Sequence, residues 1–221
     1  TVDRLAKLGT IAGPDFLVMW DNAYAVHTLS EDASELPNIN PYCETHDSAS
    51  SVVQFGSTSK ISFAGAGVAF LASSADNIAA FSAHLAFSSI GPDKVNQLRH
   101  VRFLKDLNGV KAHMSKHAAL MKPRFDSVQQ HLRQGLGDGD MGSWTDPEGG
   151  YFVSFDSRPG LAQSIVQLAG ELGVKLTPAG ATWPYGKDPQ DCNIRIAPTF
   201  ASLEDVGAAM QAFVVCVKLA S

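Results

Sequence analysis

Short apolar runs alternate along this chain with longer segments of helical period, and this alternation narrows the possible folds more than any other feature. The runs at 15–20, 51–55 and 67–72 are too short for helices and are typical of buried strands. From Ala75 onward the apolar residues recur three and four positions apart, which indicates amphipathic helices. The pattern predicts an α/β chain whose first part belongs to a sheet domain.

The second half of the chain predicts a smaller α+β unit. Its expected elements are, in order, a helix at about 110–136 kinked by Pro123, a Gly/Asp-rich turn region at 137–149, a strand at 151–155, a helix at 161–172, strands at 174–177 and 192–197, and a last helix at 203–219. We therefore expect residues 1–107 to be the end of a large domain with its connecting helix, and residues 108–221 to be a small C-terminal α+β domain.

Glycine, proline and polar residues predict several boundaries. Gly9 is expected to cap a first helix at its C-terminus, and Pro92 to be the first residue of the connecting helix that reaches Leu107. The polar residues 31–50 predict a surface loop. The chain begins at Thr1 inside a helical pattern, so we expect that the start of the protein is missing.

Composition excludes several classes of function. The chain has 221 residues, a net charge of −5 and no basic stripe, which argues against a nucleic-acid interface. No run is long and apolar enough to span a bilayer. The cysteines Cys43, Cys192 and Cys216 are far apart and odd in number, which predicts reduced thiols in a cytoplasmic protein rather than a disulfide framework.

Asp21 directly follows the first apolar run and therefore lies at the carboxyl end of a predicted strand, where open α/β sheets bind their ligands. A buried carboxylate there needs a partner, and a protonated pyridine nitrogen is one. Tyr24 follows three residues later. The competing interpretation is that Asp21 caps a turn or a helix, which is a common use of aspartate.

Lys60 follows the second predicted strand and three hydroxyl residues, Ser57, Thr58 and Ser59. Small and apolar residues come after it, so we expect its amine to be desolvated. Desolvation disfavours the charged form of a lysine and makes the amine a nucleophile that can form a Schiff base. The hydroxyls and backbone amides before it suit a phosphate. The competing interpretation is an exposed lysine beside a serine-rich turn.

Both motifs occur together, as strand-Asp-x-x-Tyr followed by strand-Gly-Ser-x-Ser-Lys. This combination resembles the fold type I enzymes that use pyridoxal 5′-phosphate (PLP), and specifically the class I aminotransferases. The resemblance extends along nearly the whole chain. Within that class, several stretches of the sequence are similar to the bacterial aspartate aminotransferase subgroup called MocR-like. The family resemblance includes the stretches 147–152, 173–180 and 193–197, and the likeness to the subgroup lies in 56–70, 90–104 and 177–198.

The resemblance implies a role for each cofactor-binding residue. Lys60 would form the Schiff base with PLP and move the proton at the substrate α-carbon. Asp21 would pair with the pyridinium nitrogen, so that the ring acts as an electron sink. Tyr24 would donate to the phenolic oxygen of the ring. Ser57 would bind the phosphate, assisted by Ser59.

Arg195 would bind the α-carboxylate of the substrate, because its guanidinium matches a carboxylate in a bidentate pair. Its flanking residues Ile194 and Ile196 leave a second interpretation open, in which Arg195 is a surface residue on an edge strand.

The sequence departs from the family in one respect. Many class I members carry an arginine shortly after the lysine, in a Gly-x-Arg-x-Gly pattern, that also holds the phosphate. Residues 65–70 read Gly-Ala-Gly-Val-Ala-Phe here. Phosphate binding must then rely on hydroxyls, on backbone amides or on the absent half of the protein, which makes Ser62 a further candidate.

Three other motifs do not indicate a further function. Ser57 and Lys60 fit the acylating Ser-x-x-Lys motif of penicillin-recognising enzymes, but the partner motifs Ser-Asp-Asn and Lys-Thr-Gly do not occur. The segment 65–67 lacks the third glycine of a dinucleotide loop and indicates close backbone packing near the cofactor. His113 and His117 are four residues apart without the glutamate of a zinc motif, so we expect no metal.

The function implied by the resemblance is a PLP-dependent aminotransferase that moves an amino group from an amino acid such as aspartate to a 2-oxo acid such as 2-oxoglutarate. A homodimer is implied as well, and the chain would be the C-terminal half of the enzyme. Three alternatives stay open: a PLP lyase or decarboxylase on the same scaffold, a PLP-binding effector domain of a transcription regulator, and a PLP-free α/β binding protein.

Overall fold

The computed structural model describes residues 1–13, 15–137 and 140–221. Pro14, before the first predicted strand, and residues 138–139 of the predicted turn region lie outside the described residues. The chain divides into two compact units, the first formed by Thr1–Val26 with Ser34–Met114 and the second by His27–Ala33 with Ser115–Ser221. The expected domain boundary at residues 107 and 108 stays a proposal about the whole protein.

The first unit is built on a three-stranded sheet. Strand β1 (Val18–Asp21) runs parallel to β2 (Val52–Ser57), and β2 pairs with β3 (Ala69–Ala72) in the antiparallel direction. Strands and helices alternate as the apolar pattern predicts, which confirms the α/β class. The helices of this unit are α1 (Val2–Ile11), α2 (Asn40–Thr45), α3 (Ala75–Ser88), α4 (Lys94–Leu104) and the start of α5 (Leu107–Leu136).

The second unit combines an antiparallel sheet with helices. The strands β4 (Gly142–Trp144), β5 (Val153–Ser157) and β6 (Asn193–Ile196) lie in this order in the sheet. The helices α6 (Ala162–Glu171) and α7 (Leu203–Ala220) join the rest of α5 around a core that contains the buried rings of Phe155 and Phe213.

Three predicted helix boundaries are wrong. Helix α1 continues past Gly9, where a Cβ atom would lie 2.6 Å from the Cβ of Ser51, so this glycine permits close packing instead of capping a helix. Pro92 is not the first helical residue, because Asp93 is the N-cap and its carboxylate accepts the Asn96 N–H at 2.9 Å. Helix α4 then ends at Leu104, since Lys105 takes a φ of 63°.

Three predictions about loops and strands also differ from the structure. Residues 31–50 include α2, whose apolar Cys43 packs with Ile39 in the core of the first unit. Residues 174–177 form no strand, although their apolar side chains pack against the core of the second unit. The region 137–149 contains the short strand β4.

All three cysteines are free thiols, as predicted. Among the described residues, no helix has the length and apolar character needed to cross a membrane.

Candidate functional site

The carboxyl ends of β1 and β2 bring predicted site residues to one edge of the first sheet. Asp21 is the last residue of β1 and lies opposite Phe55, while β2 continues to Ser57. The ladder extends one step further, because the Asn22 N–H donates to the carbonyl of Phe55 at 2.8 Å. Parallel pairing therefore places the Asp21 carboxylate and the Ser57 hydroxyl at the edge where sheets of this kind bind ligands.

Asp21 is exposed within this chain, so the expectation of a buried carboxylate is not met. Its Oδ1 accepts the backbone N–H of Ala23 at 3.2 Å, which holds the turn that follows β1. The turn-capping interpretation is thus correct for one oxygen. It does not exclude a ligand, because a carboxylate has two oxygens and several acceptor positions.

Lys60 and Tyr24 meet beside this edge. The Lys60 ammonium lies over the Tyr24 ring, 5.0 Å from its centroid, which is within the range of a cation–π contact. Lys60 is exposed, contrary to the expectation of a desolvated amine, because its neighbours Thr58 and Ile61 take the buried positions of the turn. The structure therefore brings together the two residues that the sequence pattern linked only by their order.

Ser57 and Ser59 form one hydroxyl pair at the end of β2. Their Oγ atoms are 2.6 Å apart, and the Ser59 backbone N–H donates to Ser57 Oγ at 3.0 Å. One hydroxyl hydrogen is used inside the pair, so the other can point to a ligand oxygen. Two hydroxyls held this close suit an anion such as a phosphate.

The segment 58–68, here called the lysine loop, carries Lys60 and is closed at its neck. The Thr58 N–H donates to the Val68 carbonyl at 2.9 Å, and the Val68 N–H donates to Thr58 Oγ1 at 2.8 Å. At Gly67 a Cβ atom would lie 2.8 Å from the backbone nitrogen of Ser59. The close backbone packing expected at 65–67 is confirmed there.

Two helical histidines contact the lysine loop, and sequence reasoning missed both. His100 on α4 lies within hydrogen-bond distance of the Thr58 and Ser62 hydroxyls. His113 on α5 donates through Nε2 to the Ile61 carbonyl at 2.8 Å. The only sequence signal is the spacing of Asn96 and His100, which places both on one face of a helix but does not identify a partner about forty residues away.

Arg195 belongs to the second unit and lies on β6. Its neighbours Ile194 and Ile196 face the core, and Arg195 faces the other way and is half-buried. The guanidinium lies 4.6 Å above the ring of Phe152, and its Nε donates to Thr177 Oγ1 at 3.4 Å. Both contacts come from stretches that carry the family resemblance, so Arg195 is held in place by its neighbours on β6, an edge strand of its sheet.

The residues of the first unit have the chemistry that PLP requires. An amine, a phenol and a carboxylate lie at or next to one sheet edge, with a hydroxyl pair at the end of the neighbouring strand. These groups match the aldehyde, the phenolic oxygen, the pyridine nitrogen and the phosphate of the cofactor. The donor set therefore fits PLP, even without the arginine that many relatives place after the lysine.

The whole chain, residues 1–221, matches the family model described as aspartate amino-transferase. It is 50% identical over 220 residues to a protein of Mycolicibacterium smegmatis that is provisionally named an aminotransferase, covering 100% of this chain and 51% of that protein. It is 44% identical over 218 residues to an aspartate aminotransferase of Corynebacterium glutamicum, covering 99% of this chain and 50% of the relative.

Solved structures agree with this match. A crystal structure of an aspartate transaminase from Corynebacterium glutamicum superposes with a TM-score of 0.94 at 43% identity, covering 99% of this chain and 51% of that one. A kynurenine aminotransferase from Pyrococcus horikoshii, solved in complex with pyridoxamine phosphate, has a TM-score of 0.82 at 19% identity over 99% of this chain and 51% of that one, and so supports the fold alone.

The chain spans about half the length of the curated relatives it matches. The family model nevertheless matches every residue of it. The chain therefore belongs to the aspartate aminotransferase family.

Proposed function

We propose that the full-length protein is a PLP-dependent aminotransferase, with aspartate as the first candidate amino donor and 2-oxoglutarate as the first candidate acceptor. The observation that carries this proposal is the meeting of Lys60 and Tyr24 beside the edge that ends in Asp21 and Ser57. The names of the Corynebacterium glutamicum relatives support the choice of aspartate.

Lys60 is the proposed covalent anchor and proton carrier. Its Nζ would bond to the cofactor aldehyde and, once displaced by the amino acid, would take a proton from the substrate α-carbon and return it. When bound, PLP supplies an electron sink for the charge that develops at that carbon. The Tyr24 ring beside Nζ restricts the range of the lysine side chain.

Asp21 and the serine pair hold the two ends of the cofactor in this proposal. The Asp21 carboxylate keeps the pyridine nitrogen protonated, because an adjacent negative charge favours the charged form of a base. The hydroxyls of Ser57 and Ser59 bind phosphate oxygens. This arrangement accounts for phosphate binding without the family arginine.

Arg195 is proposed to bind the substrate α-carboxylate. Its guanidinium lies over the Phe152 ring, with the central carbon 4.6 Å from the ring centroid, and this contact would limit the range of the side chain before any carboxylate arrives. Among the described residues, none of the ion pairs involves Arg195, so its charge is available for a substrate anion.

Three further statements about the whole protein are proposals by family likeness. It would be a homodimer, it would be cytoplasmic, and it would belong to the MocR-like subgroup. The subgroup proposal rests on the likeness of residues 56–70, 90–104 and 177–198 to that subgroup.

The test is a turnover assay on the full-length protein loaded with PLP. The expected result is formation of oxaloacetate and glutamate from aspartate and 2-oxoglutarate. When 2-oxoglutarate is omitted, each active site should release no more than one equivalent of oxaloacetate. A cofactor band without turnover would instead indicate a regulator, release of ammonia or carbon dioxide would indicate a lyase or decarboxylase, and no cofactor band would indicate a PLP-free binding protein.

A further inference from the structure

One imidazole bridges the lysine loop on both sides of Lys60. The His100 Nε2 atom lies 3.0 Å from Thr58 Oγ1 and 2.7 Å from Ser62 Oγ. Thr58 and Ser62 stand two residues before and two residues after Lys60. Ser62 Oγ also lies 3.1 Å from the Thr58 carbonyl, so the two ends of this turn and the ring form one connected network.

The orientation of the ring is set by α4. The His100 Nδ1 atom lies 2.8 Å from the carbonyl of Asn96, and a carbonyl can only accept, so Nδ1 carries the hydrogen. In the neutral ring Nε2 is then an acceptor with one lone pair, and the Thr58 hydroxyl can donate to it. The single hydroxyl hydrogen of Ser62 lies within reach of both Nε2 and the Thr58 carbonyl. A change in either loop hydroxyl would leave the ring in place, because its other nitrogen is held independently.

The same helix face and the start of α5 hold the rest of the loop. The Asn96 side-chain amide donates to the carbonyls of Ala66 at 2.8 Å and Gly67 at 3.2 Å. His113 donates to the Ile61 carbonyl, directly after Lys60. Thr58 is only 6% exposed, so its hydroxyl has few other partners to replace a lost one.

We propose that His100 is a positioning residue for Lys60, which acts by fixing the backbone of the lysine loop on both sides of it. The proposal rests on the proposed role of Lys60 as the covalent anchor. The position of the Lys60 Nζ depends both on its contact with the Tyr24 ring and on how firmly its own backbone is held, because the four-carbon side chain between them is flexible. Small displacements of a reacting group slow its chemistry strongly.

The test compares His100→Phe with His131→Phe in the full-length protein. His100→Phe keeps an aromatic ring but removes the contacts with the Thr58 and Ser62 hydroxyls and with the Asn96 carbonyl. His131 is a matched control, because it is also a half-buried helical histidine whose Nδ1 lies near the carbonyl four residues earlier, Ser127, but it does not contact the lysine loop. His100→Gln is the conservative variant, since its amide oxygen can accept from the loop hydroxyls.

Two readouts separate positioning from simple loss of stability. Amide hydrogen exchange of the apoprotein reports the lysine loop without any cofactor, and the rate at which added PLP forms its covalent absorption band reports the reach of Lys60. We expect His100→Phe to speed exchange in residues 58–68 and to slow attachment and kcat by about ten- to a hundredfold, with the KM for the amino acid unchanged. His100→Gln should recover part of the rate.

Unchanged loop exchange and an unchanged attachment rate in His100→Phe would overturn the proposal, as would equal effects from His131→Phe. A slower rate accompanied by general exchange across the first unit would also overturn it, because that pattern indicates a merely structural role. Lys60→Ala tests the proposed function separately. If this variant still forms the covalent band, Lys60 is not the anchor, whatever the His100 variants show.

Discussion

Asp21 shows how one residue serves structure and chemistry through different oxygens. Its Oδ1 holds the turn after β1, and its position at the carboxyl end of a parallel strand makes the same side chain a candidate partner for a cofactor cation. The sequence led to both interpretations, and they are compatible. Its exposure was not predictable, because what covers a strand end depends on residues distant in sequence.

Replacing Asp21 by asparagine separates these two tasks. The amide oxygen of Asn can still accept the Ala23 N–H, but it offers no charge to a pyridinium nitrogen. We expect the amino-transfer rate of Asp21→Asn to fall on the order of a hundredfold, the scale of losing a preorganised electrostatic group, with an unchanged Tm. Asp15→Asn, an exposed carboxylate before β1, is the control. Normal turnover in Asp21→Asn would remove Asp21 from the proposed site.

Arg195 allows a second test at this scale. Lysine at this position keeps the positive charge but cannot form a bidentate pair with a carboxylate. We expect Arg195→Lys to raise the KM for the amino-acid substrate roughly tenfold to a hundredfold, the equivalent of one charge-assisted hydrogen bond. Steady-state kinetics measure this KM. Arg158→Lys is the control, because Arg158 contacts the carbonyls of Asp140 and Ser221. Equal KM values would favour the surface-arginine interpretation.

His100 marks the limit of residue-level prediction. The motif around Lys60 was recognisable because its residues are consecutive, and Asp21 and Tyr24 because they follow a strand at a short spacing. His100 and His113 reach the same loop from helices 38 to 52 residues away in sequence. Local pattern contains no information on such contacts, which arise only when α4 and α5 pack.

At the scale of elements, the site depends on where strands and helices end. The long helices α3, α5 and α7 and the strands β1, β2, β3, β5 and β6 were predictable because their apolar spacing is regular over several residues. The short elements α2 and β4 were not, since proline, glycine and polar residues dominate them. The predicted strand at 174–177 failed because alternating apolar residues can pack on a core without a ladder partner.

The junction between α4 and α5 offers a test of close packing. A Cβ atom at Gly109 would lie 1.7 Å from the Leu104 carbonyl oxygen, so any side chain there must displace backbone. We expect Gly109→Ala to destabilise the protein by about 1–3 kcal/mol. Gly170→Ala in α6 is the matched control, because a Cβ there meets nothing within 4 Å and should stabilise by about 0.5–1 kcal/mol. Urea unfolding measures the free energy of unfolding of both variants. Equal changes in Gly109→Ala and Gly170→Ala would contradict the prediction.

The Asp188 carboxylate stabilises the turn before β6, and this stabilisation depends on pH. The Asp188 carboxylate accepts hydrogen bonds from three backbone N–H groups, those of Asn193 at 2.8 Å, Cys192 at 2.9 Å and Gln190 at 3.0 Å. These bonds lower the pKa of the carboxyl below its ordinary value of 3.8, and the bond from Asn193 contributes most. A lowered pKa in the folded state means that the contribution is present above about pH 4 and is lost on acidification below it.

We therefore expect Asp188→Asn to be less stable than the wild type near pH 6, with the difference in stability shrinking as the pH falls below about 4. Thermal unfolding across this range measures it. Asp156→Asn, on β5 of the same unit, is the control, because its carboxylate pairs with a side-chain amide instead of backbone amides. A stability difference that stays constant with pH would show that the Asp188 carboxylate is not the group responsible.

At the scale of the whole molecule, the chain supplies residues for every proposed contact with the cofactor, yet it spans only half the length of its relatives. The exposure of Lys60 and Asp21 therefore concerns this chain by itself. Burial of a lysine and of a carboxylate in the complete protein would strengthen both electrostatic roles, since charges interact more strongly where water is excluded.

The identity of the anchoring lysine is the central claim, and one measurement tests it directly. The full-length protein is loaded with PLP, reduced with borohydride to fix the bond, and digested, and mass spectrometry then locates the modified residue. We predict a single pyridoxyl-phosphate adduct on Lys60 that is absent from Lys60→Ala. Lys105→Ala, which changes a lysine at the end of α4 in the same unit, should retain the adduct. An adduct on any other lysine, or one that persists in Lys60→Ala, would contradict the account.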